Sequence, residues 1–354
     1  MKKIVLTGGG TAGHVTPNIA LLPALREADY DIHYIGSFEG IESRLIPDFD
    51  VPYYGISTGK FRRYFDLKNF SDPFRVIKGY RDAKKILKEL KPDVVFSKGG
   101  FVAVPVVRAA ADLKIPCIIH ESDMTPGLAN KLCIPAATKV CCNFPETIKY
   151  VPSGKAVLTG SPIRQELFNG SKEKGLSFCG FTNDKPVLLI IGGSLGSIVV
   201  NEAVRAILPT LLEQFQIIHL CGKGKVDESL KDTKGYVQFE YIKQELTDLF
   251  AASDLILSRA GANAICEILA LRKPHILVPL SAAASRGDQI LNANSFKKQG
   301  FSYVIKEEEL NKDTLLTAVN EVYANKDKYI TAMEKSPLSD SIETIMQLIK
   351  EVQK

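Results

Sequence analysis

Short apolar runs rich in β-branched residues recur along the chain, most of them closing on Gly, Ser or Pro and separated by helix-length segments. In the first half these runs are KKIVLTGGG, DIHYIGS, PYYGIS, PDVVFSKGG, PCIIHES, KVCCNF and AVLTGSP. The second half continues with PVLLIIGGS, FQIIHLCGKG, YVQFEYI, DLILSRAG, PHILVPLS and SYVIKEEE. Continuous rather than alternating apolar runs are what strands buried on both faces of a parallel sheet require, with helices as the crossovers. The pattern therefore predicts an α/β protein of two doubly wound, Rossmann-like domains.

Length supports two cores, because 354 residues exceed what one hydrophobic core usually spans. A turn-rich link at Gly160-Ser161-Pro162 predicts the division, with residues 1–162 as the first domain and 163–337 as the second. A last amphipathic helix carries Ile342, Ile345, Met346, Ile349 and Val352 on one face. Residues 338–354 are expected to pack back on the first domain. The apolar run Ile4–Leu6 is too short for a signal-peptide core, and no run approaches a membrane span, so a cytoplasmic protein is expected. Seven cysteines stand scattered without a CxxC pair and read as buried thiols.

Charge changes the picture at one place. Residues 60–91 hold eleven Lys or Arg against four Asp or Glu, an excess larger than the +5 of the whole chain. From Phe74 to Leu90 the apolar residues recur at helical spacing, and Arg75, Lys78, Arg81, Lys84, Lys85, Lys88 and Lys91 form a second stripe. Upstream, Phe61, Tyr64, Phe65 and Phe70 are interleaved with Arg62, Arg63 and Lys68. Solubility alone explains many such helices, whereas aromatics among cations suit an anionic membrane interface.

Each half opens with a strand running into a Gly-rich turn, IVLTGGGTAGH at 4–14 and LLIIGGSLGS at 188–197, and each holds a later echo, VVFSKGGFVAV at 94–104 and LILSRAGANAI at 255–265. Glycine at a strand-to-helix turn admits a ligand close to backbone amides, and the helix dipole attracts phosphate, although such turns also serve only to pack a helix. The first loop lacks the GxGxxG spacing of dinucleotide binders. His14, at a predicted helix start, is a candidate proton acceptor because the dipole disfavours imidazolium; a loop-bracing role is the alternative. His120 and Glu121 either face a ligand or orient their loop. Glu267, amid apolar neighbours, suits the two hydroxyls of a ribose or an internal ion pair. Arg286, Asp288, Gln289, Asn292 and Asn294 gather at a helix start, while Asp48-Phe49-Asp50 sits in a solvated turn rather than forming a metal-binding DxD.

Together, GGGTAGHVTPN at 8–18, SKGGFVAVPV at 97–106, IIHESDMTPGLANK at 118–131, GSPIR at 160–164, IIGGSLGS at 190–197, SRAGANAICE at 258–267 and SRGDQILNAN at 285–294 resemble, in order and over nearly the whole chain, the MurG family. These are the bacterial undecaprenyldiphospho-muramoylpentapeptide N-acetylglucosaminyltransferases. The resemblance implies a GT-B architecture, two Rossmann-like domains facing across a cleft, and inverting transfer without a metal or other cofactor. It implies a peripheral enzyme on the cytoplasmic face of the membrane. Its partners would be UDP-N-acetylglucosamine, a lipid-linked muramoyl-pentapeptide acceptor and, through residues 60–91, the anionic surface, with no nucleic acid. Carried over by motif, His14 is the catalytic base, and Thr11, Ala12, Gly13, Arg164, Ser194, Ile242, Glu267 and Gln289 bind substrate. Ala12 stands where the family commonly has glycine, Asp123 where many members have asparagine, and Ala282-Ala283-Ala284 where a more polar segment is usual. A UDP-sugar epimerase or glycolipid synthase of the same architecture, and a binding subunit without chemistry, are the competing readings; product formation without a muramoyl lipid, or binding without turnover, would mark them.

Overall fold

A computed structural model describes residues 1–59, 72–193, 195–282, 287–336, 338 and 341–353, with the backbone alone at 72–74. The aromatic cluster at Phe61, Tyr64, Phe65 and Phe70, and Ser194, Ala283, Ala284 and Arg286, lie outside the described residues. The chain forms two compact units, one of Met1–Arg164 with Asp340–Lys354 and one of Gln165–Ser339.

The first unit holds a seven-stranded sheet in the order β3-β2-β1-β4-β5-β6-β7. Its strands are β1 (Lys2–Thr7), β2 (Tyr30–Ser37), β3 (Tyr53–Ile56), β4 (Val94–Ser97), β5 (Cys117–Glu121), β6 (Lys139–Cys142) and β7 (Ala156–Leu158). All pairings are parallel. Side chains alternate between two cores. Ile4, Leu6, Tyr34, Val94, Phe96 and Ile118 enter one, together with Leu21, Leu22 and Leu25 of the helix Thr16–Glu27 and Ile345, Met346 and Ile349 of the helix Ser341–Val352. Val5, Ile35, Val95, Cys117 and Ile119 enter the other, under Ala83 and Leu87 of the helix Asp72–Leu90 and Val106, Val107 and Ala110 of the helix Ala103–Asp112. Burial on both faces is why these strands read as unbroken apolar runs.

The second unit repeats the plan with six parallel strands in the order β10-β9-β8-β11-β12-β13. They are β8 (Val187–Ile191), β9 (Gln216–Leu220), β10 (Tyr236–Phe239), β11 (Leu255–Ser258), β12 (His275–Leu277) and β13 (Tyr303–Val304). Strand order reverses between β1 and β4 in one unit and between β8 and β11 in the other. In an open α/β sheet that reversal separates neighbouring loops at the carboxyl edge and leaves room for a ligand. The four Gly-containing turns follow these four strands. The seven cysteines are all free and buried.

Candidate active site

In the first unit the turn after β1 and the turn after β4 touch through glycines. Gly10 has φ 87°, and a Cβ there would lie 2.5 Å from the Phe101 ring. Gly100 has φ 82°, and a Cβ would stand 2.3 Å from the Gly9 carbonyl oxygen and 3.2 Å from His14. Only glycine meets both demands, the left-handed backbone and the missing side chain. Ala12, by contrast, is not among the non-glycine residues of positive φ, so its methyl costs no strain. Thr11 and Ala12 are exposed, and Gly13 and His14 are partly buried, in a turn of 3₁₀ helix over Ala12–His14.

The first loop departs from a simple phosphate cradle. The carboxylate of Glu42, wholly buried, accepts from the Gly10 amide at 3.0 Å, from the Ser37 amide at 3.1 Å and from the Ser37 hydroxyl. The Gly10 amide is thus already occupied by an internal anion and is not open to a diphosphate. The apolar pattern around Glu42 carries no signal for this; a lone glutamate in the short helix Glu42–Leu45 reads as surface.

His14 donates from Nδ1 to the Lys98 carbonyl oxygen at 3.2 Å. A carbonyl only accepts, so the neutral ring carries its proton on Nδ1 and keeps a lone pair on Nε2. Burial lowers its pKa to about 4, with the Lys98 ammonium adding to the effect and the hydrogen bond to the Lys98 carbonyl and the Glu42 charge opposing it. The ring is therefore neutral at pH 7, but burial and Lys98 lead the causes, in place of the helix dipole expected from sequence. His120 donates from Nε2 to the Gly160 carbonyl oxygen at 2.8 Å and accepts on Nδ1 from Lys98 at 2.9 Å. Glu121 accepts from the amides of Asp123 and Gly127 and from the Asn130 side chain. Both residues orient the turn after β5. A separate apolar cavity of about 160 Å³, lined by Gly59, Val76, Phe101, Val104, Leu128 and Leu132, opens beside the helix Asp72–Leu90.

Arg164 is the last residue of the first unit and is partly buried. In the second unit, Ile242 lies in the turn beyond β10, and Glu267 is partly buried on the helix Ala262–Ala270 between buried Cys266 and Ile268. Gln289, in the first turn of the helix Asp288–Lys298, accepts from the Leu280 amide at 3.0 Å.

Arg259, absent from the sequence-derived candidates, joins the turns around these residues. Its guanidinium donates to the Ser197 hydroxyl at 2.6 Å, to the Val278 carbonyl at 3.1 Å and to the Glu307 carboxylate, which in turn accepts from the Ser281 amide at 3.0 Å. The turns after β8, β11 and β12 and the segment after β13 are thereby held together. The extra positive charge in SRAG is a sequence signal for such a hub, but its partners stand 62, 19 and 48 residues away.

Residues 4–142 match the glycosyltransferase family 28 N-terminal domain and residues 187–350 the glycosyltransferase family 28 C-terminal domain. The chain is 70% identical, over 99% of both chains, to the UDP-N-acetylglucosamine–N-acetylmuramyl-(pentapeptide) pyrophosphoryl-undecaprenol N-acetylglucosamine transferase of Lachnoclostridium phytofermentans. It is 60% identical, over the full length of both, to the enzyme of the same name from Clostridium botulinum. Among solved structures it resembles Acinetobacter baumannii MurG, with TM-score 0.78 and 25% identity over 99% of this chain and 100% of that one. The UDP-GlcNAc 2-epimerase of Methanocaldococcus jannaschii shares the fold, with TM-score 0.70 and 18% identity over 99% of this chain and 100% of that one.

Proposed function

The chain belongs to glycosyltransferase family 28, within it to the MurG enzymes, and from that premise we propose how its residues carry out their reaction. It transfers N-acetylglucosamine from UDP-N-acetylglucosamine to the lipid-linked N-acetylmuramoyl-pentapeptide, the step that completes the disaccharide lipid of peptidoglycan synthesis.

The acceptor's 4-hydroxyl attacks the anomeric carbon, its proton passes to His14, and the bond to the diphosphate breaks with inversion. The observation that carries this assignment is the His14 tautomer: Nδ1 is held by the Lys98 carbonyl, so the lone pair is on Nε2. The leaving diphosphate gains negative charge, which Arg164, the amides of Thr11, Ala12 and Gly13, and Ser194, matched to the family by motif, stabilise. Glu267 takes the ribose hydroxyls, Ile242 lies against the uracil, and Gln289 contacts the donor sugar through its amide nitrogen while its carbonyl holds Leu280.

The acceptor is reached at the cytoplasmic face of the membrane. Arg75, Lys78, Arg81 and Lys85 are exposed on the helix Asp72–Leu90, Ile77 on the same helix is 52% exposed, and the apolar cavity lined by Leu128 and Leu132 lies beside it. Cations beside exposed apolar side chains suit a peripheral contact with an anionic leaflet. Among the described residues no helix is long and apolar enough to cross a membrane. Kinetics of two variants test the division of labour: His14→Ala should lose turnover at unchanged donor affinity, and Glu267→Ala should lose donor affinity. The opposite split would reverse the assignments.

A further inference from the structure

Lys98 directly follows β4 and is 1% exposed, one of the largest fully buried side chains. Lysine is rarely buried this far unless its charge is engaged. Its carbonyl oxygen accepts from His14 Nδ1 at 3.2 Å. Its ammonium donates to His120 Nδ1 at 2.9 Å and to the Ser122 hydroxyl. His120 Nε2 is committed to the Gly160 carbonyl, which leaves Nδ1 as the acceptor and Lys98 as the donor. Ser122 begins the turn after β5, which Glu121 holds from within through the Asp123 and Gly127 amides, and which Asn143 holds through the Ser122 carbonyl at 3.0 Å.

We infer that Lys98 is a positioning residue for the transfer: its carbonyl sets the tautomer of His14 while its ammonium, held by His120 and Ser122, ties that ring to the turn after β5. The inference rests on the reading of His14 as proton acceptor. The charged and titratable groups facing His14 are Lys98 from the end of β4, Glu42 from its short helix and His120 from β5. Lys98 disfavours the imidazolium and Glu42 favours it. Without the ammonium, burial still disfavours the imidazolium but the opposing charge is gone, and protonation of His14 beside Glu42 becomes easier. Binding and chemistry are coupled here through a single side chain, because the turn it fixes belongs to the first unit, the half that the family resemblance assigns to the acceptor.

The test is Lys98→Met, which keeps the length of the side chain and removes the ammonium. Histidine titration is followed by NMR, the His14 signal being identified by its loss in His14→Ala. The His14 midpoint should move up by about half to one pH unit, and the acid limb of kcat/KM should move with it. KM for the lipid acceptor should rise roughly three- to tenfold, the scale of one lost hydrogen bond, with donor KM unchanged. An unmoved midpoint, with activity lowered equally at every pH, would overturn the inference and leave Lys98 a packing residue. Should Lys98→Met fail to fold, Ser122→Ala decides: acceptor KM should rise over the same range while the His14 midpoint stays in place, and an unchanged acceptor KM overturns the inference. Failure of His14 as proton acceptor would appear separately, as near-normal turnover of His14→Ala with the titration shift in Lys98→Met still present.

Discussion

The carboxylate of Glu42 accepts a hydrogen bond from the amide of Gly10 at 3.0 Å across 32 residues of sequence, so the first glycine-rich turn is closed around an internal anion. The same carboxylate holds the end of β2 through the Ser37 amide. Removing it leaves the buried Ser37 amide and the part-buried Gly10 amide without their acceptor. Glu42→Ala should therefore destabilise the first unit by about 3 kcal/mol, the scale of losing charge-assisted hydrogen bonds inside a core. Glu42→Gln, which keeps one acceptor oxygen, should lose about half as much. Urea unfolding of the two variants measures the difference; equal stability of Glu42→Ala and the parent would show the contacts to be incidental.

His14→Ala should lower kcat by roughly 10² to 10⁴, the usual share of a general base. Donor affinity should stay within a factor of about two, a split that separates chemistry from ground-state binding. Near-normal turnover would send the search for the base elsewhere.

Glu267→Ala should weaken UDP-N-acetylglucosamine binding by about 1.5 to 3 kcal/mol, the worth of a hydrogen bond to a charged group. Calorimetry reads it directly. Affinity unchanged within threefold, a difference of about 0.7 kcal/mol, would remove Glu267 from the ribose.

Acid should unfold the protein through its buried histidines. Burial lowers the pKa of His14 and His275 to about 4 and, with the Arg205 charge added, that of His219 to about 3. Below the ordinary histidine value of 6.5 the unfolded chain binds protons that the folded chain refuses, so stability is full above that pH and falls from there toward pH 4 and below. Replacing His219 by Gln, which can still bond Tyr236 and Asn201, should flatten the dependence between pH 6 and 5 by about one proton, about 1.4 kcal/mol per pH unit. An unaltered slope would mean that His219 titrates alike in both states.

Replacing Arg75, Lys78, Arg81 and Lys85 by Gln should cut binding to anionic vesicles at least about a hundredfold, since each cation near such a surface contributes about 1 kcal/mol. All four are exposed, while Lys84 is engaged with Asp112 and Tyr80 and is left in place. Turnover of a short-chain soluble acceptor should barely change. Equal vesicle binding would make the stripe a solvated face.

The strands were legible because burial on both faces of a sheet writes itself as an apolar run, and the Gly-rich turns because glycine is obligatory where Gly10 meets Phe101 and Gly100 meets Gly9. Resemblance then supplied candidate roles for His14 and Glu267 that composition and spacing alone left open. What stayed hidden were contacts between residues far apart in the chain. The tautomer of His14 is set 84 residues away at Lys98, and Arg259 meets Glu307 across 48. Lys98 reads in sequence as one more polar residue after a strand, and only burial shows that its ammonium is engaged inside the protein.

Incubation of the purified protein with labelled UDP-N-acetylglucosamine and the muramoyl-pentapeptide lipid tests the central claim most directly. Label should enter the lipid only when both substrates are present, with a β-1,4 link and one UDP released per disaccharide, and His14→Ala should slow it in step with kcat. Label remaining in the nucleotide fraction, or conversion of the sugar nucleotide without the lipid, would contradict the account.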